Sequence, residues 1–288
     1  MNTTGFMPGV TGANWLIIGG SGGLGKAVAQ LVVDHFKAAG TNDKVVITSR
    51  TRSKAAQIAE ELGAKWVVPE ELDATDSKSV QALWERIRPL KITRYVDAAG
   101  GGRGEARTPA NGSVLDIPLD GFEIQLQTTL MATVNCMAII GNGMLKDQQV
   151  DGKLELRSPV RFVHTSSASA KEPLPAVSVY SAAMRAKDSL VGSWQRELST
   201  QFGSLVTVNA VRPGFIPNDQ NRAMLLDETQ PDGYTLRGRT VVGATPLNRF
   251  GGSGEIAPAY VFLCSDWASF AGGAIFTIDG GYGCRGGL

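Results

Sequence analysis

Strand-length apolar runs alternate with longer amphipathic runs along almost all of this 288-residue chain, and that alternation restricts its fold more than any other feature. Residues 15–20, 44–48, 66–68, 95–98, 160–165, 205–211 and 274–278 have the length and apolar content of strands. Helix-length segments separate them at 24–39, 53–62, 77–87, about 120–145, 179–202 and 255–264, with Leu24, Val28, Leu31 and Val32 sharing one side of the first. Near-continuous apolar strands joined through helices imply a parallel sheet covered on both faces. The expected fold is therefore α/β and doubly wound, with a seven-stranded parallel sheet.

No Pro-, Gly- or Ser-rich linker and no internal repeat divides the chain, so one domain over 1–288 is expected. Residues 101–113 are the most loop-like, and 218–245 are polar and weakly periodic, as a lid over a substrate would be. Lys and Arg total 28 against 27 Asp and Glu, and a net charge of +1 offers no field for nucleic acid or an anionic membrane. No apolar run reaches bilayer length, and 130–140, interrupted by Thr133 and Asn135, reads as a buried helix. The first residues lack the basic flank and apolar segment of a secretory signal. Cys136, Cys264 and Cys284 are few, odd in number and far apart, which fits reduced thiols and a cytoplasmic location. His35 and His164 have no partners at ligand spacing, so no metal is expected.

The first strand runs into Gly19-Gly20-Ser21-Gly22-Gly23-Leu24-Gly25 and then a helix. In a dinucleotide site such glycines allow a tight turn, close approach of a pyrophosphate and close packing of helix on sheet. The phosphates then meet free N–H groups at the helix start. Two rival readings exist. Gly20-xxxx-Gly25-Lys26 looks like a phosphate-binding P-loop, but Ala27 stands where that motif needs Ser or Thr for magnesium. The turn could also bind nothing, against which the downstream features agree on a dinucleotide. The second strand ends Thr48-Ser49-Arg50-Thr51-Arg52, without the acid that accepts from the ribose of NAD. Arg50 can instead pair with a 2′-phosphate, which favours NADP(H), although Arg50 and Arg52 also suit solvated charges at a helix start.

These segments resemble the short-chain dehydrogenase/reductase family along nearly the whole chain. Gly19, Gly23 and Gly25 match its GxxxGxG, with Ile18 where the family has Thr. Asp73 matches its acid near the adenine, and Asp97-Ala98-Ala99-Gly100 is a looser match to its NNAG. Ser167 and Tyr180, 13 residues apart, have the spacing of its catalytic Ser and Tyr. Asn209-Ala210-Val211-Arg212-Pro213-Gly214 looks like its N-A-V-x-P-G, and 246–250, 255–256, 262–266 and 279–282 resemble its C-terminal third.

The resemblance implies a Rossmann-like fold and hydride transfer between NADP(H) and a carbonyl or secondary alcohol. Tyr180 would serve as acid/base and Ser167 would hold the oxygen; the bland alternative is a satisfied buried Tyr and a strand-end Ser. It further implies cofactor contacts from Gly19, Ser21, Gly23, Leu24, Gly25, Ser49, Arg50, Asp73, Ala99, Gly100, Tyr180, Lys187, Pro213, Gly214 and Ile216, and a homodimer or homotetramer built on the two long helices.

Two family residues are missing. The family's Tyr-x-x-x-Lys reads Tyr180-Ser181-Ala182-Ala183-Met184, and Thr129 stands in place of its helix Asn. A nearby cation matters because a free phenol titrates near ~10. Lys187, seven residues after Tyr180, lies near the same helix stripe, and its long side chain is a candidate to reach back over position 184. The other reading of Lys187 is a solvated or interface charge. Two alternative functions stay open: an enoyl reductase, since Tyr-x6-Lys occurs in that branch, and a catalytically weak NADP(H)-binding protein.

Overall fold

In a computed structural model, which describes residues 7–101, 114–150, 155–172 and 174–284, the seven apolar runs form one sheet. Its strands are β1 (Asn14–Ile18), β2 (Val45–Ser49), β3 (Val67–Glu71), β4 (Ile92–Asp97), β5 (Val160–Thr165), β6 (Val206–Pro213) and β7 (Ile275–Ile278). Their order is β3-β2-β1-β4-β5-β6-β7, and each neighbouring pair is parallel. The order reverses between β1 and β4, and a doubly wound sheet opens a binding crevice at the carboxyl end of that switch point.

Helices cover both faces, as continuous burial of β2 and β4 requires. One face packs α1 (Gly23–Ala39), α2 (Arg52–Leu62) and the helix Ser253–Cys264 against Trp15, Ile17, Val45 and Ile47. The other packs α3 (Ser77–Ile87), α4 (Leu119–Gln148) and α5 (Ser178–Phe202) against Leu16, Ile18, Tyr95 and Phe162. α4 is long and apolar enough to cross a bilayer, but it buries Cys136, Met137, Ile140 and Met144 on the sheet and so serves as a core helix. Two π-turns, Gln127–Met131 and Met137–Gly141, interrupt it; such turns rotate the following side chains and recur at functional sites.

Several boundaries differ from the sequence expectation, three of them for a visible reason. β1 stops at Ile18 because Gly19 turns at φ +74. β4 starts at Ile92, three residues early, because the buried Arg94 is satisfied by the carbonyls of Pro159 (2.6 Å) and Gly9 (3.2 Å). β3 runs on through Pro69, which an edge strand tolerates. The segment 218–245 is also more ordered than its composition suggests. It holds the short helices Arg222–Leu225 and Leu236–Gly243, the second capped by Thr235, whose hydroxyl accepts from Gly238 N at 3.0 Å. The glycines at both 238 and 243 hide that helix from a periodicity argument.

Candidate active site

The crevice at the switch point is shaped by glycines. Gly19 N–H donates to Thr48 Oγ1 (3.0 Å), and a Cβ on Gly19 would stand 3.0 Å from Ala99 Cα across the crevice. A Cβ on Gly25 would stand 2.8 Å from Gly20 Cα, closer than real side chains come. The turn therefore needs hydrogen at both positions. α1 begins at Gly23 with no side-chain cap and no acidic residue in its first turn, which leaves positive dipole and N–H groups facing the crevice. Such a cradle fits a dinucleotide pyrophosphate. Lys26, the residue a P-loop would use, is instead paired with Glu61.

The other predicted cofactor residues line the same rim. Ser21 and Leu24 lie in the glycine turn and the first turn of α1, and Ser49 ends β2. Arg50 follows, exposed and in none of the ion pairs among the described residues, whereas Arg52 is 3.6 Å from Glu70. Asp73, just past β3, accepts from the amide and hydroxyl of Thr75 (2.9 and 2.6 Å). Ala99 and Gly100 follow β4, Gly100 at φ +112. Pro213 ends β6, and a Cβ on Gly214 would meet Asp279 Cα at 2.7 Å. Ile216 accepts at its carbonyl from Asn221 (3.0 Å) and lines a small cavity with Phe215, Leu247 and Glu255.

Ser167 sits just beyond β5 as the N-cap of the one-turn helix Ala168–Lys171; its Oγ accepts from Ser169 N at 3.2 Å and Ser169 Oγ at 3.0 Å. Arg185 holds the far end of that helix, donating to the carbonyls of Ala170 (2.8 Å) and Lys171 (3.2 Å). Tyr180 enters from the first turn of α5. Burial pushes its phenol pKa up, and a hydrogen bond with Ser167 pulls it partly back. Ser167 and Tyr180 thus lie in the same region at the carboxyl end of β5, and among the described residues no cation bears on the phenol.

Neither reading of Lys187, a reach over position 184 or a solvated charge, holds in the structure. Lys187 is 1% exposed and turns inward, its Nζ 3.2 Å from Oδ2 of Asp97, itself 2% exposed. A buried carboxylate left without a counter-charge would be costly, so the lysine goes to the acid. Asp97 Oδ2 also accepts from Thr133 Oγ1 (2.5 Å), Oδ1 accepts from Ala99 N (3.1 Å), and His164 Nδ1 lies 3.6 Å from Oδ2, beyond hydrogen-bond reach. Burial pushes the Asp97 carboxyl up, but Lys187, His164 and Thr133 together hold it well below the usual carboxylate range. Met184 and Thr129 are both buried and meet beneath Gly100. Thr129 Oγ1 accepts from Gln125 Nε2 (2.6 Å), which also donates to Gly101 O (3.0 Å).

Thr133, Gln125 and Ser169 were not singled out from sequence, Asp97 entered only through the loose NNAG match, and Arg185, a weaker candidate for the missing cation because five residues put it on another helix face, is instead bonded to the carbonyls of Ala170 and Lys171. Asp97 carried a signal, because an acid in a strand expected to be buried on both faces demands a counter-charge. The others bond through backbone or through contacts between distant elements, which no local pattern reveals.

A family model described as enoyl-(acyl carrier protein) reductase matches residues 20–283. The uncharacterized oxidoreductase UxuB of Bacillus subtilis (strain 168) is 26% identical over 287 residues, covering 95% of each chain. The 3-oxoacyl-(acyl-carrier-protein) reductase FabG of Salmonella typhimurium is 28% identical over 271 residues, covering 92% of this chain and 95% of that protein. A solved structure from Haemophilus influenza, described as a D-mannonate oxidoreductase with bound NAD, shares the fold at a TM-score of 0.82 and 20% identity, covering 96% of both chains. With its strand order, its glycine turn and a match that runs from that turn almost to the last described residue, the chain belongs to the short-chain dehydrogenase/reductase family of oxidoreductases.

Proposed function

We propose that the chain is an NADP(H)-dependent oxidoreductase interconverting a carbonyl and a secondary alcohol, working chiefly as a reductase. The observation that carries this reading is the glycine crevice that fits a dinucleotide, with Ser167 capping the turn just beyond β5 and Tyr180 in the first turn of α5. The nicotinamide, when bound, supplies or accepts the hydride. Ser167 then donates to the carbonyl oxygen as negative charge develops there, and Tyr180 delivers the proton that makes it an alcohol. Because burial favours the neutral phenol, Tyr180 is loaded as an acid, which suits reduction better than oxidation.

Arg50, exposed at the end of β2 where no acid competes, supports the 2′-phosphate and hence NADP(H). The ordered segment 218–245 would close over the substrate, and the partly exposed faces of α4 and α5 would pair in a homodimer or homotetramer. An enoyl-reducing variant of the chemistry is favoured by the description of the matching family model.

NADPH oxidation against a panel of ketones and enones tests the reading. Turnover of ketones is expected. Turnover of enones alone would move the assignment to the second reading, and tight NADPH binding without turnover of any acceptor would reduce the chain to a binding protein. Arg50→Ala is expected to weaken NADPH by about ten- to a hundredfold through loss of a charge-assisted hydrogen bond, and NADH far less. Equal losses would discard the 2′-phosphate assignment.

A further inference from the structure

We infer that Asp97, neutralised by Lys187, is a positioning residue that locks the floor of the active site from one layer beneath it. The inference rests on the proposed reading that a nicotinamide nucleotide lies over that floor.

The floor is formed where three elements meet. A Cβ on Gly100 would come 3.8 Å from Met184 Cε and 3.9 Å from Thr129 Cγ2, so the loop after β4, helix α4 and helix α5 converge on one point. Asp97 grips the same three elements. Its Oδ1 accepts from the amide of Ala99, the residue before Gly100. Its Oδ2 accepts from Thr133 Oγ1, one turn along α4 from Thr129, and that hydroxyl also touches the Thr129 carbonyl at 3.2 Å. The same Oδ2 holds Lys187 Nζ, one turn along α5 from Met184.

Each tether is therefore one residue or one helical turn from the floor residue it serves. Apolar side chains at 97, 133 and 187 could fill the volume, but they would not fix the sliding of two helices against a loop, as a directional bond does. The cation missing beside Tyr180 thus acts through Asp97 on the shape of the site rather than on the phenol. Lys187 is the counter-charge that makes a buried carboxylate tolerable. Tyr95 and Cys136, which also face the carboxylate, are pushed up by burial and stay neutral.

The test compares the full-length protein with the double variant Asp97→Leu/Lys187→Met, in which charge is balanced and volume roughly kept, a change that buried ion pairs often tolerate. Thr133→Val, which removes one tether and no charge, is the second variant should the first fail to fold. Amide hydrogen exchange is read at Ala99, Gly100 and Gly101 and, as internal reference, in β1 and β6; NADPH affinity is read by nucleotide fluorescence. The expected result is exchange about tenfold faster at the three loop amides, unchanged exchange in the reference strands, and NADPH affinity weakened by a similar factor. Unchanged exchange at the loop overturns the inference. So does faster exchange spread evenly over loop and strands, which is the signature of a merely structural pair. If the unmodified protein takes up no NADPH, the proposed function fails, while the exchange comparison still decides whether Asp97 locks the loop.

Discussion

Lys187→Met should destabilise this protein strongly, and by an amount that depends on pH in a predictable direction. The substitution roughly keeps the side chain's volume and removes its charge and its N–H donors, leaving the Asp97 carboxylate, 2% exposed, without its cation. Breaking a buried pair by removing one partner costs about 3–5 kcal/mol, because the remaining charge can neither be solvated nor paired. For a chain of this size that corresponds to a fall in melting temperature of roughly 5–15 °C.

His164 sets the pH dependence of that loss. Burial pushes its pKa down first of all, the neighbouring Asp97 pulls it up, and Lys187 pushes it further down. Without Lys187 the last of these is gone, so the folded variant binds protons at His164 more readily than the folded wild type. The Asp97 carboxyl, freed from the cation that holds it low, rises as well. Both changes let the folded variant take up protons that the folded wild type refuses. Stability gained by proton uptake is present at acid pH and lost as pH rises. The loss caused by the substitution should therefore be smaller near pH 6 than near pH 8, two values that bracket the ordinary histidine pKa of about 6.5 and lie well below that of tyrosine. Thermal unfolding of both proteins at the two pH values measures this. A loss below about 1 kcal/mol, the scale of an exposed pair, would refute the buried-pair argument. A loss that is independent of pH, or larger at acid pH, would refute the role of His164.

Tyr180→Phe should lower the reduction rate by about 10²–10⁴-fold, the usual worth of a positioned acid, with NADPH affinity little changed; a rate within twofold of wild type would remove the phenol from the chemistry. Because burial raises the phenol pKa, the wild-type reduction rate should hold steady through neutral pH and decline only above about 10, and a decline centred near 7 would show a cation at work beside it. Gly25→Ala places a methyl 2.8 Å from Gly20 Cα; it should cost about 1–3 kcal/mol by overpacking and abolish nucleotide binding, and a stable variant with normal affinity would contradict the close-packed turn.

Sequence periodicity was sufficient for the sheet and for the faces its helices cover, because buried parallel strands and amphipathic helices leave regular signals. It was weakest where one contact outweighs a local pattern. Arg94 inside β4 argues against a strand until two distant carbonyls satisfy its guanidinium. The helix Leu236–Gly243 is set by a threonine cap rather than by an apolar stripe. At the site, Ser167 and Tyr180 were picked out only through the family resemblance, whose Ser-to-Tyr spacing they share. The destination of Lys187 was not legible, because helix geometry limits where a long side chain can go without choosing among its partners. That choice was made by Asp97, a residue 90 positions away.

The central claim is that a nicotinamide dinucleotide crosses the strand ends with its reactive ring beside Tyr180. A crystal structure of the full chain grown with NADPH tests it most directly. The account predicts the pyrophosphate on the Gly19–Gly25 turn and the nicotinamide at a distance from the Tyr180 hydroxyl that leaves room for one carbonyl, with reacting atoms about 3–3.5 Å apart. A nucleotide bound elsewhere, or a ring turned away from that hydroxyl, would contradict it.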